Sequence, residues 1–378
     1  MRIACPRESA RGERRVAIVP DTARTLAGAG LEVALEAGAG AAAGYPDADY
    51  EKAGARVERE RRALLASAGV VVVVQGSPGL ADELREGAIL VGLLRPLDRP
   101  QHAIALASRG ITSFALELLP RITRAQAMDA LSSQANLAGY RAVLTAASAV
   151  GKIFPMLVTA AGTISAARVL VLGAGVAGLQ AIATARRLGA AVEAYDVRPA
   201  VREQVESLGA RFVDLGLETA GAEDAGGYAR AQSAEFLARQ RELLGKRVAA
   251  ADVVITTALV PGARAPLLVE ESALRAMRPG SVVVDLAAEQ GGNCAGTRPD
   301  EVVEVGGVRI FGPTNLASEV AHHASQTYAR NVATFLQHLV KDGKPVLDLE
   351  DEITRGALVT HGGEILNERV KSLASSGA

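Results

Sequence analysis

The chain has 378 residues, 49% hydrophobic and 22% charged, which is enough apolar side chain for two cores of ordinary domain size and excludes wholesale disorder. Its 41 Lys and Arg against 42 Asp and Glu leave a net charge of −1, so no global field draws nucleic acid, and any phosphate must be met locally. Two cysteines cannot form a disulfide framework, and the start Met1-Arg-Ile-Ala-Cys-Pro lacks the apolar core of a signal peptide, which points to the cytosol.

In chain order, apolar runs alternate with helix-like stretches. The expected elements are a strand at 2–5, a helix at 22–29, a strand at 32–35, a helix at 63–68 and strands at 70–74, 88–93 and 112–115, with a helix at 101–108 before the last. A long helix is expected over 125–150. The alternation resumes with strand 169–172, helix 177–188, strand 191–195, helix 200–208 and a short strand at 212–213. Residues 218–227, rich in Gly, Ala and acidic side chains without periodicity, read as a mobile loop. Strands at 252–257, 281–286 and 308–311 and a second long helix over 316–340 follow. Such alternation implies an α/β protein: two Rossmann-like doubly wound parallel-sheet domains joined by two long helices. The first domain is expected over 1–131 and 323–378, and the second over 132–322.

No membrane span is expected. The apolar region 153–185 is split by Arg168, and the uncharged part after it is about 17 residues, short of the ~20 a bilayer demands. Aromatics are 3% and Trp is absent, which argues against stacking platforms for single-stranded nucleic acid.

The strongest local signal is Gly173-Ala-Gly175-Val176-Ala-Gly178, directly after an apolar strand and opening a helix, the context a dinucleotide fingerprint requires. Gly173 permits the tight turn, Gly175 lets backbone approach a pyrophosphate, and Gly178 allows close helix–strand packing. Asp196 closes the next strand, where a carboxylate accepts hydrogen bonds from an adenosine ribose and repels a 2′-phosphate, favouring NAD(H). Arg198, two residues on, complicates this, because an arginine there can accommodate that phosphate.

Other polar signals have two readings each. Arg121, Arg124, Gln126, Asp129 and Ser132 sit in an apolar neighbourhood. On a helix starting near Thr123, Gln126, Asp129 and Ser132 make either a stripe facing a cleft or a solvated face with Thr123 as its cap. The segments 289–293 and 256–262 follow apolar strands, where open α/β sheets place ligands, and are alternatively plain turns. His322 and His323 diverge by about 100° on a helix and cannot grip one metal, so no metal site is expected.

Together, Gly173 to Ala185, Arg121-Ile-Thr-Arg124-Ala-Gln126, Ser132 to Ala142 and Asp285-Leu-Ala-Ala-Glu289-Gln-Gly-Gly-Asn293 resemble the NAD(H)-binding component, domain I or alpha subunit, of proton-translocating NAD(P) transhydrogenase. The likeness runs from Pro6-Arg-Glu and Arg15-Val-Ala to Thr314-Asn315. It implies direct hydride transfer between NAD(H) on this chain and NADP(H) on a partner, coupled to proton translocation. Arg121, Asp129 and Ser132 would hold the nicotinamide end, Gln126 would reach toward NADP(H), and these four would form the catalytic set, with Arg124 beside them as a binding residue. Gly173, Gly175, Val176 and Gly178 would take the pyrophosphate, and Asp196, Val197 and Arg198 the adenosine half. Gly227 and Tyr228 match a mobile loop that closes over nucleotide, and Gln240 and Leu259 match nucleotide-contacting positions.

The resemblance further implies a homodimer, cytoplasmic and peripheral on the inner face of the membrane. Its partners would be an NADP(H)-binding subunit and a membrane-spanning proton-channel subunit, expected as separate polypeptides. The wider superfamily includes alanine dehydrogenase, whose first lobe supplies a Lys after one strand and a His one strand further on. Here Gln75-Gly76 and the run around Gly92 stand in those places, and that lobe offers only Lys52 and His102. The alternatives are a soluble NAD-dependent amino-acid dehydrogenase with its substrate residues elsewhere, and a non-catalytic NAD(H)-binding regulator.

Overall fold

The computed structural model describes residues 1–376 apart from 78, 218–232, 261 and 342. Its contacts divide the chain into two compact units, Met1–Gln134 with Ala317–Ala378, and Ala135–Leu316. The first crossing falls inside the helix Ala130–Ala149, and the second falls just before the helix Ala321–Leu339.

In the first unit eight strands form one sheet. From edge to edge they run Glu364–Ile365, Leu358–His361, Thr112–Ala115, Ile89–Leu93, Val70–Gln75, Arg2–Cys5, Glu32–Glu36 and Arg56–Glu58. The last six are parallel, and their chain order across the sheet is 6-5-4-1-2-3, the doubly wound arrangement. Parallel strands covered on both faces read as nearly continuous apolar runs. Alternate residues then serve opposite cores. Ile3, Cys5, Val70, Val72 and Val74 pack on one face with Tyr328, Val332 and Phe335 of the helix Ala321–Leu339. Ala4, Val71, Val73 and Leu90 pack on the other with Leu64, Leu65 and Leu106.

Among the described residues the second unit repeats the plan with seven strands, ordered Arg211–Phe212, Ala191–Tyr195, Arg168–Leu172, Val253–Thr256, Val282–Asp285, Val308–Phe311 and Val302–Val305. All are parallel except the last, which returns antiparallel on Val308–Phe311. Val169 and Val171 face one core and Leu170 and Leu172 the other.

Several expectations are corrected. The helix expected over 125–150 is two elements, a 3-10 turn Thr123–Met128 and the α-helix Ala130–Ala149. Asp129 divides them: its backbone leaves the helical region and its Oδ1 accepts the amide of Ser132 at 2.8 Å, so Asp129, not Thr123, caps the helix. The second long helix begins at Ala321, after a 3-10 turn Leu316–Val320. The sheets are not purely parallel. The antiparallel strands Leu358–His361 and Val302–Val305 went unforeseen, as did the helix Ala234–Ala250, whose polar surface weakens the apolar period. A hairpin of Leu157–Thr159 and Gly162–Ile164 was likewise unforeseen.

Candidate functional site

In a doubly wound sheet ligands collect at the carboxyl ends of the strands where the chain order reverses, which in the second unit lies between Arg168–Leu172 and Val253–Thr256. The glycine-rich turn occupies that place. Gly173 has φ +99°, a conformation that L side chains rarely adopt, and a Cβ there would stand 2.6 Å from Thr257 Oγ1. Thr257 Oγ1 itself donates to Gly173 O at 3.0 Å, tying the turn to the neighbouring strand. A Cβ on Gly178 would run into Gly173 O, so the helix Val176–Arg187 starts in contact with the turn. At Gly175, the residue before that helix, a Cβ would meet nothing within 4 Å. The open space lies where the first helix amides have no intrahelical partner and where the dipole favours an anion, a fit for a dinucleotide pyrophosphate. Val176 begins the helix with its side chain 36% exposed.

Asp196 is buried at the end of Ala191–Tyr195. Its Oδ2 accepts the Ala174 amide at 2.7 Å, which joins the carboxylate to the glycine-rich turn. Arg198 folds back on it, its Nε 2.9 Å from Oδ1 and its Nη2 2.9 Å from Oδ2. Val197, between them, packs against the core. Gln240 is 1% exposed, with its Nε2 donating to Tyr195 Oη at 2.9 Å, so in this structure it lies beneath the strand end, not on the surface. Leu259 is exposed in the segment after Val253–Thr256. Gly227 and Tyr228 lie outside the described residues.

Asp285 and Asn293 belong to a motif whose individual roles the sequence did not reveal, and they organise this edge. Asp285 is fully buried and accepts from Thr256 Oγ1, Thr297 Oγ1 and the amides of Ala287, Asn293 and Cys294. Asn293, also fully buried, accepts from the Ala258 amide and donates to Ala258 O and Pro266 O. The carboxylate thus shapes the loop after its strand, and Asn293 carries that shape to the segment beside the glycine-rich turn. The legible signal was an acidic residue ending an apolar strand. Glu289 is exposed in the 3-10 turn Ala288–Gln290.

In the first unit, Arg121, Arg124 and Gln126 are exposed around the turn Thr123–Met128, and Asp129 and Ser132 are half-buried. The expected single helical stripe of Gln126, Asp129 and Ser132 is not formed, because only Ser132 is on the α-helix and Asp129 is its cap. Arg124 pairs with Asp351 at 3.1 Å. Asp351 caps the helix Glu352–Ala357 through the amides of Ile353 and Thr354, and the Thr354 bond, with help from Arg124, holds its carboxyl down to about 2.

The switch point of the first unit, between Arg2–Cys5 and Val70–Gln75, is filled by the chain itself. Glu8 accepts the amides of Val74 and Gln75, and Tyr328 Oη donates to Val73 O at 2.7 Å. These side chains satisfy backbone groups that the neighbouring strand gives up where its register shifts between Val72 and Gln75. Gln75 Nε2 donates to Glu13 Oε2 at 2.8 Å, and Glu13 pairs with Arg15 at 2.6 Å, both side chains nearly without exposure. Arg15 also donates to Gln134 Oε1 at 2.9 Å. Burial pushes the Glu8 carboxyl up to about 8, with the charge of Glu13 adding to the shift. At Gly92 a Cβ would stand 2.7 Å from Val73 Cγ2, so the position has no room for a larger side chain.

Among the described residues no cluster of His, Cys, Asp and Glu has the arrangement of a metal site, and no helix is long and apolar enough to cross a membrane. The chain matches two family descriptions, "Alanine dehydrogenase/PNT, N-terminal domain" over residues 4–138 and "Alanine dehydrogenase/PNT, C-terminal domain" over residues 142–368. It is 48% identical to the first part of the NAD(P) transhydrogenase subunit alpha of Rhodospirillum rubrum, over 97% of this chain and 98% of that one. The crystal structure of transhydrogenase from Sinorhizobium meliloti aligns with a TM-score of 0.85 at 44% identity, covering 97% of this chain and 99% of that one. The alanine dehydrogenase of Halomonas elongata is more distant, 30% identical over 97% of this chain and 94% of its own length. The chain therefore belongs to the alanine dehydrogenase/PNT family and, within it, stands with the NAD(P) transhydrogenase alpha subunits.

Proposed function

We propose that the chain is the NAD(H)-binding subunit of a proton-translocating NAD(P) transhydrogenase. Bound NAD(H) supplies or receives hydride in direct exchange with NADP(H) on a partner subunit. The protein's share of such a reaction is placement and exclusion of water, which asks for no general base on a substrate. The turn Gly173–Gly178 and its helix amides hold the pyrophosphate, and Asp196 takes the ribose hydroxyls. By resemblance, Arg121, Asp129 and Ser132 hold the nicotinamide end, Gln126 faces the partner's nucleotide, Arg124, Val197, Gly227, Tyr228 and Leu259 complete the nucleotide contacts, and Gln240, matched to such a position, acts from beneath them through Tyr195.

The observation that carries this reading over an amino-acid dehydrogenase is Gln75. It is neutral, and its amide donates to Glu13. An amino-acid dehydrogenase needs a cation or a proton-transfer group there to manage its substrate. The partners assigned are an NADP(H)-binding subunit and a membrane-spanning proton-channel subunit, with this chain peripheral on the cytoplasmic face.

We also assign a homodimer. Its support is the hairpin Leu157–Thr159 and Gly162–Ile164, which leaves Met156, Leu157, Val158 and Ile164 between 44% and 76% exposed. A two-stranded hairpin with bare apolar side chains is marginal in water and marks an interface. An apolar groove lined by Ala147, Val150, Ile153, Phe154 and Leu188 runs at its base.

The test is an absorbance assay with NADPH, a spectrally shifted NAD⁺ analogue and an added NADP(H)-binding partner domain, beside NAD⁺ with a panel of amino acids. Partner-dependent reduction of the analogue with the amino acids inert, by a chain that sediments as a dimer, is the expected outcome. Reduction of NAD⁺ by an amino acid without partner would overturn it.

A further inference from the structure

The adenosine end of the site holds a carboxylate with no acceptor to spare. An ionised Asp offers about four lone-pair positions on two oxygens. Asp196 Oδ1 receives the Arg198 amide and Arg198 Nε, each at 2.9 Å, and Oδ2 receives the Ala174 amide at 2.7 Å and Arg198 Nη2 at 2.9 Å. Four donors meet four positions. Two of them are backbone amides fixed by the turn and the strand end. The other two belong to one side chain, and they sit one on each oxygen. A ribose diol brings two hydroxyl donors, so withdrawal of the Arg198 guanidinium frees the number of acceptors that the diol requires, one per oxygen. The pair is partly shielded, the side chains of Arg198 and Asp196 being 13% and 6% exposed, so their attraction is screened less than that of a surface pair.

We propose that Asp196 selects the nucleotide this site accepts in part by holding Arg198. While Asp196 holds it, the guanidinium is spent on the carboxylate and is withheld from a 2′-phosphate. A ribose with two free hydroxyls can replace it bond for bond. A 2′-phosphorylated ribose cannot, because it lacks one donor and brings charge against Asp196. Without the carboxylate, the same planar guanidinium is a ready bidentate partner for the phosphate. Discrimination therefore rests on Asp196 restraining Arg198 as well as on repulsion by Asp196 itself. The inference depends on the dinucleotide reading of the glycine-rich turn.

The test measures dissociation constants of NADH and NADPH by nucleotide fluorescence for the full chain and three variants, with thermal melts alongside. The unaltered chain is expected to bind NADH at least 100-fold more tightly than NADPH. Asp196→Asn should weaken NADH about tenfold and tighten NADPH at least 30-fold. The double variant Asp196→Asn with Arg198→Ala should bind NADPH at least tenfold less tightly than Asp196→Asn, keeping only the gain that loss of the Asp196 charge supplies. Arg198→Ala alone keeps the carboxylate and frees the two acceptors the diol requires, so it should bind NADH at least threefold more tightly than the unaltered chain. That variant carries the test if Asp196→Asn melts early.

Retention of the full NADPH gain in the double variant would overturn the proposal in favour of simple repulsion. So would a well-folded Asp196→Asn that gains nothing, or an NADH affinity in Arg198→Ala that stays the same or falls. Failure of the unaltered chain to bind either nucleotide would instead overturn the dinucleotide site itself, and the proposal with it.

Discussion

The two units share a strand order and put opposite things at the place where it reverses. In the first, Glu8, Glu13, Arg15, Gln75 and Tyr328 fill the edge, bonded to one another or to the strand backbone. In the second, three glycines hold the backbone back, and the space at Gly175 stays open before a helix start. The topology creates the location in both. Side-chain volume decides whether it is a core or a site, and the first unit has spent its charges on itself.

The widest break in this comparison comes from filling the second edge. Gly178→Val drives a side chain into Gly173 O and is expected to abolish measurable NADH binding and cost at least about 4 kcal/mol in urea unfolding. Gly175→Ala is its control. Nothing lies within 4 Å of the added Cβ, so the melting temperature should hold while NADH affinity, read by fluorescence titration, falls about 10- to 100-fold, or 1.4–2.7 kcal/mol.

The complementary change removes a charge from the filled edge. Glu13→Ala takes the carboxylate from a buried pair with Arg15 and should destabilise the first unit by about 3 kcal/mol, seen as an early step in urea unfolding. Glu13 is not among the residues assigned to the nucleotide, so in the folded protein the NADH dissociation constant should stay within twofold.

The smallest effect sharpens the electrostatic side. Burial pushes the Glu117 carboxyl, in the 3-10 turn Leu116–Leu118, up to about 7, and among the described residues its Oε2 has no hydrogen-bond partner. A carboxyl raised above its unfolded value of 4.5 gives stability that is complete below about pH 4.5 and is lost as pH rises through 7. Urea midpoints should therefore fall between pH 5 and pH 7.5. Glu117→Gln should flatten that decline by roughly 1–3 kcal/mol.

The central strands were legible because burial on both faces demands unbroken apolar runs, and 2–5, 112–115 and 191–195 have the bounds read from the residues alone. The glycine-rich turn was legible for a related reason: its residues are chosen by backbone geometry, which is local. Edge strands such as Leu358–His361 were not. Four residues carry little period, and this strand exists because Leu358 lies opposite Phe114 while Ser113 and Thr360 share a hydrogen bond. The stripe of Gln126, Asp129 and Ser132 failed because three-residue spacing cannot reveal that Asp129 leaves the helix to cap it.

Hydrophobic period and glycine geometry act over a few residues, so two doubly wound sheets, the chain positions of their central strands and the turn at Gly173–Gly178 follow from the residues alone. Which polar groups are spent was settled by long-range folding. Gln75 reaches Glu13 across 62 positions and Asn293 reaches Ala258 across 35, while Arg198 reaches Asp196 across two yet could as readily have faced solvent. A hydrogen bond is settled by which acceptor folding brings within 3 Å of which donor, and no spacing along the chain carries that information.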